Sequence, residues 1–251
     1  MLNKLNVLIT NDDGIFGEGL SVLANTLKDV SNVYVLAPQN NCSGVSSHIT
    51  MDRSLTFIQI QENVFCCNGF PADCVLTALN SKLFSDVKFD CVLSGINQGA
   101  NIGTDCIYSG TIAAARQAVL HDVPGIALSL TPSPDDFDYN YFPLAKFVKN
   151  NLEKLISLYK KNRIISVNAI SASAYKGVKF SDFCVRDYND EVIIKKTGKN
   201  TFHSTFASGV TKTEGPENNE HENVCNEYIS ISSIFAESVY DKIIDDVEFK
   251  L

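Results

Sequence analysis

The chain has 251 residues, 45% of them hydrophobic and 20% charged, which suits one large soluble domain or a domain with an elaboration. Its net charge of −8, from 21 Lys+Arg against 29 Asp+Glu, argues against a surface that holds nucleic acid by neutralising phosphates. Eight cysteines lie in apolar contexts without a C-x-x-C, and four histidines are scattered, so reduced buried thiols are expected rather than a disulfide framework or a structural zinc.

Taken in chain order, Leu5–Thr10 (LNVLIT) is a β-type run too short to span a membrane. After NDDG, the apolar spacing of Leu20, Leu23, Ala24 and Leu27 predicts a helix over Gly19–Lys28. Asn32–Ala37 (NVYVLA) is the next strand, which completes a βαβ unit. Ser54 to Asn68 alternates around Glu62–Asn63 as a β-hairpin, and Pro71 opens a helix over ADCVLTALNSKLF. Phe89–Ser94 is a strand, Gly110–His121 a small-residue helix and Gly125–Leu130 a strand. Pro143 opens the amphipathic helix LAKFVKNNLEKLISLYKK, and Arg163–Asn168 (RIISVN) closes the alternation. This order predicts an α/β fold: a Rossmann-like, mostly parallel sheet with helices on both faces. From about Ser171, VKFSDFCV, EVIIKK and EYISIS are β-rich pieces between polar loops, read as antiparallel hairpins added to the core; EGPENNEHEN (Glu214–Asn223) reads as a surface loop. The division expected is a catalytic core over 1–170 and an extension over 171–251 that serves oligomerisation.

In an open parallel sheet, ligands bind beyond the carboxyl ends of the strands. NDDG follows the first strand, APQNNCSG (Ala37–Gly44) the second, and SGINQGANIG (Ser94–Gly103) the strand at Phe89–Leu93. Adjacent carboxylates repel unless a cation offsets them. Asp12, Asp13, Ser43 and Asn97 offer hard oxygen donors, and none of these three loops contains Lys or Arg, so a divalent metal is the simplest cation. Ser109, Gly110 and Thr111 open the helix after the glycine-rich run, where free N–H groups and hydroxyls form a phosphate site. Singly, each has a plainer use: Asp12 in a turn, Asp13 as a helix cap, Ser109 and Thr111 as caps. Convergence of three loops lifts the set. Of the histidines, only His48 falls near it, with Ser47 beside it as a candidate substrate contact.

With those residues in view, the chain resembles the SurE family of stationary-phase survival proteins, metal-dependent nucleoside-monophosphate phosphatases. The resemblance is carried by ITNDDG (Ile9–Gly14), APQNNCSG, GFPADCV (Gly69–Val75) and SGINQGANIGTDCIYSGTIAAA (Ser94–Ala115), in order over about the first half of the chain. It departs at Ser47, where many members carry Asn or His and this chain has its ring one residue later, and in the tail, where EYISIS stands for a GYVSITP-like strand. The resemblance implies that Asp12, Asp13, Ser43 and Asn97 are the ligands of one divalent ion per subunit, Mg²⁺ or Mn²⁺ with Ca²⁺ able to occupy the site. Catalysis is expected through Asp12, Asp13 and Asn97, with water activated by the metal attacking phosphorus in line. The resemblance also implies a hairpin extension exchanged within a homodimer or homotetramer and a nucleoside 5′- or 3′-monophosphate or short polyphosphate as substrate, while the charge and the short N-terminal apolar run give the expectation of a cytoplasmic enzyme that engages neither nucleic acid nor membrane. Two rivals lack their residues: a receiver module needs a phospho-accepting Asp and a later Lys, and a haloacid-dehalogenase-type phosphatase needs D-x-D-x-[TV]. A non-catalytic nucleotide-binding module remains the third alternative.

Overall fold

A computed structural model describes residues 4–133, 135, 137–207 and 209–239. Strand β1 (Leu5–Thr10) leads through the NDDG turn to α1 (Glu18–Leu27), then β2 (Ser31–Pro38), the hairpin β3 (Phe57–Gln61) and β4 (Val64–Cys67), and α2 (Pro71–Asn80). Strand β5 (Cys91–Gln98), a 3₁₀ turn (Gly103–Ile107), α3 (Gly110–Val119), β6 (Gly125–Thr131), α4 (Phe142–Ser157) and β7 (Arg163–Ile170) follow. The remainder is β8 (Gly177–Phe180), β9 (Val185–Asp187), β10 (Glu191–Lys196), β11 (Phe202–Ala207), β12 (Lys212–Glu214), α5 (Glu220–Cys225) and β13 (Tyr228–Phe235).

Among the described residues the main sheet has nine strands in the order β3-β4-β2-β1-β5-β6-β7-β13-β8. From β4 to β7 all neighbours are parallel. The inner strands are buried on both faces, with Val7, Leu8 and Ile9 fully covered, because helices shield each side. Leu20, Leu23 and Leu27 of α1 and Leu144, Val148 and Leu152 of α4 close one face in a single apolar cluster with Val7, Ile9 and Leu93. Cys74, Val75 and Ala78 of α2 and Ala114 and Ala118 of α3 close the other over Leu8, Leu36 and Val92. The predicted α/β class therefore holds.

Three local expectations need correction. The third core strand does not stop at Ser94: β5 runs to Gln98 after a register shift between Ser94 and Asn97, so Asn97 stands on a strand rather than in a loop. Gly95 makes this possible, since its φ of +134° and a site for Cβ only 2.2 Å from the Leu128 carbonyl oxygen exclude any side chain. Second, Glu214–Asn223 is not simply a surface loop: it contains the start of α5, capped by Asn219, with Glu220 and Asn223 buried. Third, the tail is not all antiparallel. β10–β11 and β9–β12 are antiparallel pairs, but β13 lies antiparallel to β7 inside the main sheet and takes β8 alongside it in parallel. All eight cysteines are free thiols, six of them buried.

Candidate active site

Strand order reverses between β1 and its neighbours β2 and β5, and the crevice beyond their carboxyl ends is where such sheets bind ligands. The NDDG turn there is shaped by a residue whose role the sequence did not reveal: the Asn11 amide donates to the Gly14 carbonyl at 2.9 Å and accepts the Gly14 N–H at 3.2 Å. The Asp12 carbonyl accepts the Cys42 N–H at 2.6 Å, tying this turn to the loop after β2. That loop in turn meets the 3₁₀ turn through Ser46, whose N–H donates to the Tyr108 carbonyl at 2.8 Å.

Together these ties form a cleft of about 350 Å³ that has Asp12, Ser43, Asn97 and Ser109 on its wall. Asp12 is only 3% exposed. Burial pushes its carboxyl up to about 6; the Thr111 hydroxyl opposes that rise and the neighbouring Asp13 adds to it. The Asn97 amide nitrogen donates to the Gly99 carbonyl at 2.9 Å, an orientation that turns the amide oxygen the other way. Asp13 is off this wall: its carboxylate, raised by burial, accepts the Gln98 N–H at 3.1 Å.

The start of α3 is pressed against Asp12. Thr111 is fully buried and its hydroxyl donates to Asp12 Oδ1 at 2.5 Å, so this side chain faces the carboxylate and not the cleft. Gly110 lets the helix come so close, since a Cβ there would stand 2.8 Å from Asp12 Cβ and 2.9 Å from Oδ2. Ser109 caps the helix by accepting the Ile112 N–H at 3.1 Å. Ser47 and His48 are not among the residues lining this cleft: Ser47 Oγ accepts from Arg116 Nη1 at 2.8 Å, and the His48 ring packs against Phe70 with centroids 4.2 Å apart.

Further residues share the cleft without having been singled out by sequence, among them Asn101, Asp105, Tyr108, Arg186 and Tyr188. Asn101, buried, donates to Ser129 Oγ at 2.8 Å and through its N–H to Asn168 Oδ1 at 2.9 Å, which stiffens the floor. Asp105, Arg186 and Tyr188 complete the other end, the last two brought from β9 and the residue after it. Only Asn101, Asp105 and Tyr108 carried any signal, by their place in the glycine-rich run. Arg186 and Tyr188 are more than eighty residues from the partners they meet here.

Comparison with known proteins matches this architecture. The model of the family "Survival protein SurE" covers residues 7–190. The chain belongs to the SurE family. Two relatives named 5′-nucleotidase SurE show the extent: one from Acinetobacter baylyi is 35% identical over 254 residues, covering 97% of this chain and 98% of its own, and one from Acinetobacter baumannii (strain SDF) is 42% identical over 180 residues, 70% of each. The crystal structure of a SurE protein from Aquifex aeolicus superposes with a TM-score of 0.80 at 28% identity, over 93% of this chain and 94% of that one. In this SurE sheet no three His, Cys, Asp or Glu side chains gather to hold a metal among the described residues. Among the described residues, no helix of the SurE fold is long and apolar enough to cross a membrane.

Proposed function

We propose that this chain is a divalent-metal-dependent phosphomonoesterase that hydrolyses nucleoside 5′-monophosphates to nucleoside and phosphate, and 3′-monophosphates and short polyphosphate as related esters and anhydrides. One observation carries the reading: a carboxylate as buried as Asp12, beside Asp13, opens onto a cleft whose one arginine is already paired with Asp105. Uncompensated negative charge of that kind calls for a cation, and relatives bearing the name 5′-nucleotidase SurE supply the substrate class.

Asp12, Asp13, Ser43 and Asn97 are the residues that would hold the ion, and an all-oxygen donor set fits Mg²⁺ or Mn²⁺, with Ca²⁺ as an alternative occupant. When bound, such an ion draws charge from phosphoryl oxygens and lowers the pKa of water. The chain's own contribution is to hold the donors still. Thr111 and the α3 N-terminus fix Asp12, Gln98 fixes Asp13 and the Gly99 carbonyl fixes the Asn97 amide. Ser109, the N-cap of α3 on the cleft wall, would meet phosphoryl oxygens as they gain charge, with Gly110 and Thr111 behind it holding Asp12.

The reading includes a core over 1–170, an oligomerisation region over 171–251, a homodimer or homotetramer, and a reducing cytoplasm that suits eight free thiols. Residues 240–251 of that region lie outside the described residues. The test is phosphate release from AMP by the full chain with Mn²⁺ or Mg²⁺, against the same protein stripped with EDTA and dialysed. Metal-restored activity is expected. Full activity in the stripped protein, or none on any nucleoside monophosphate, overturns the reading.

A further inference from the structure

The half of the cleft away from Asp12 is built of different material. Tyr108, at the end of the 3₁₀ turn, is 63% exposed although its backbone is held by Ser46. Arg186 and Tyr188 line the same cleft, with the guanidinium carbon 5.1 Å from the Tyr188 ring centroid. Asp105 fixes both: one carboxylate oxygen accepts Arg186 Nη1 at 2.6 Å and the other accepts the Tyr188 hydroxyl. Thr104 adds a third anchor by accepting the Arg186 N–H at 3.0 Å.

A salt bridge that only staples the tail to the 3₁₀ turn requires none of these rings. Nor does it account for Arg186 Nε, which is buried without a hydrogen-bond partner among the described residues. Flat π surfaces and a guanidinium plane lining a cleft of about 350 Å³ match a planar heterocycle.

We propose that Tyr108, Arg186 and Tyr188 form the wall that binds the nucleoside of the substrate, the base lying against the rings while the phosphoryl group reaches Asp12 and Asn97. The proposal rests on the nucleotidase reading above and adds the residues that recognise the leaving group. It also implies weak discrimination among bases. Every base has a π face to stack, and both oxygens of the one carboxylate at this wall already hold Arg186 and Tyr188 in place.

Adenosine and inorganic phosphate, used separately as inhibitors of AMP hydrolysis by the metal-loaded enzyme, divide the cleft into its two ends. Tyr108→Ala, at an exposed ring, is expected to weaken adenosine inhibition about tenfold while the phosphate inhibition constant stays within about twofold. Arg186→Met should act in the same direction, with Arg186→Lys recovering only part of the loss. Uridine should inhibit the unaltered enzyme within about tenfold of adenosine. Equal weakening of both inhibitors, weakening of phosphate alone, or no change in either for Tyr108→Ala overturns the proposal, as does a hundredfold preference for one base. Should the unaltered enzyme fail to hydrolyse AMP, the nucleotidase reading falls. Calorimetric titration of AMP into Tyr108→Ala and unaltered protein then decides the wall separately: equal affinities or no binding overturn it, and a tenfold loss supports it.

Discussion

At the residue scale, the meeting of Asp12 with α3 is the most demanding contact in the cleft. Gly110 has no Cβ because one would fall inside the Asp12 side chain. Alanine is the better helix former, by about 1 kcal/mol in a helix interior, so Gly110→Ala should leave the helix intact and shift the carboxylate instead. Misplacement of a catalytic group by about an ångström costs on the order of a hundredfold. We expect kcat on AMP to fall by about that factor with an unchanged circular-dichroism spectrum. A variant with full activity would mean that Asp12 needs no such placement. This contact also marks a limit of sequence reading. The pairing of Asp12 with Asp13 and the polar start of α3 were both legible, but the separation of 99 positions between Asp12 and Thr111 hides that one hydroxyl serves the other's carboxylate. Read alone, Thr111 is as good a phosphate ligand as a helix-start threonine can be.

At the scale of elements, strands and helices with apolar periodicity were read correctly to within a few residues, since burial alone specifies them. Those that failed were specified by polar contacts. Asn97 was assigned to a loop because Gly95 and Gly99 bracket it, whereas the strand continues through an irregular step that only its neighbour β6 reveals. Helix α5 has little apolar pattern of its own, and it is secured by Glu220, which accepts the Gly103 N–H at 3.0 Å and the Ser232 hydroxyl at 2.5 Å. Burial raises the Glu220 carboxyl above its ordinary value of 4.5, the two hydrogen bonds oppose the rise, and the Asp105 charge reinforces it. A raised acid favours the protonated form in the folded state. Its contribution to stability is thus fully present below pH 4.5 and is given up as pH climbs through the folded-state value. Glu220→Gln removes that dependence. The melting temperature of the variant, compared with the unaltered protein, should improve as pH rises from 4 to 7.5. A constant offset across that range would show that Glu220 does not titrate with unfolding.

For the whole molecule, the question is what the tail covers. Hairpin β10–β11 pairs six residues of each strand yet exposes Val192, Ile193, Ile194, Phe202 and Phe206, each more than half accessible. An isolated two-stranded hairpin is marginal in water, and an apolar one with free edges invites pairing. Sedimentation at micromolar concentration should therefore give a multiple of 27.5 kDa. A double substitution such as Ile193→Lys with Phe206→Asp should reduce it to one chain, and a clean monomer of the unaltered protein would contradict the assignment of this region to assembly. The sequence displayed the first strand of this hairpin, EVIIKK, as a β-rich piece, but not its partner Phe202–Ala207. It did not display that Arg186, a few residues before it, turns back into the cleft, because a single arginine in a polar tail has no pattern to read.

The position of β13 between β7 and β8 bears on how the chain is made. Synthesis delivers β7 long before Tyr228–Phe235 exists, and until then the flank of β7, with Ile164, Ile165 and Val167, has no strand beside it on that side. For that interval the nascent chain carries an open template for β-pairing, and every neighbouring ribosome on the same message presents an identical one. The same late segment also sets α5 behind the 3₁₀ turn through Glu220, after Arg186 has already emerged. Translation thus leaves the cleft unfinished until nearly the last described strand has emerged, which ties protection from aggregation and completion of the site to one event in biogenesis.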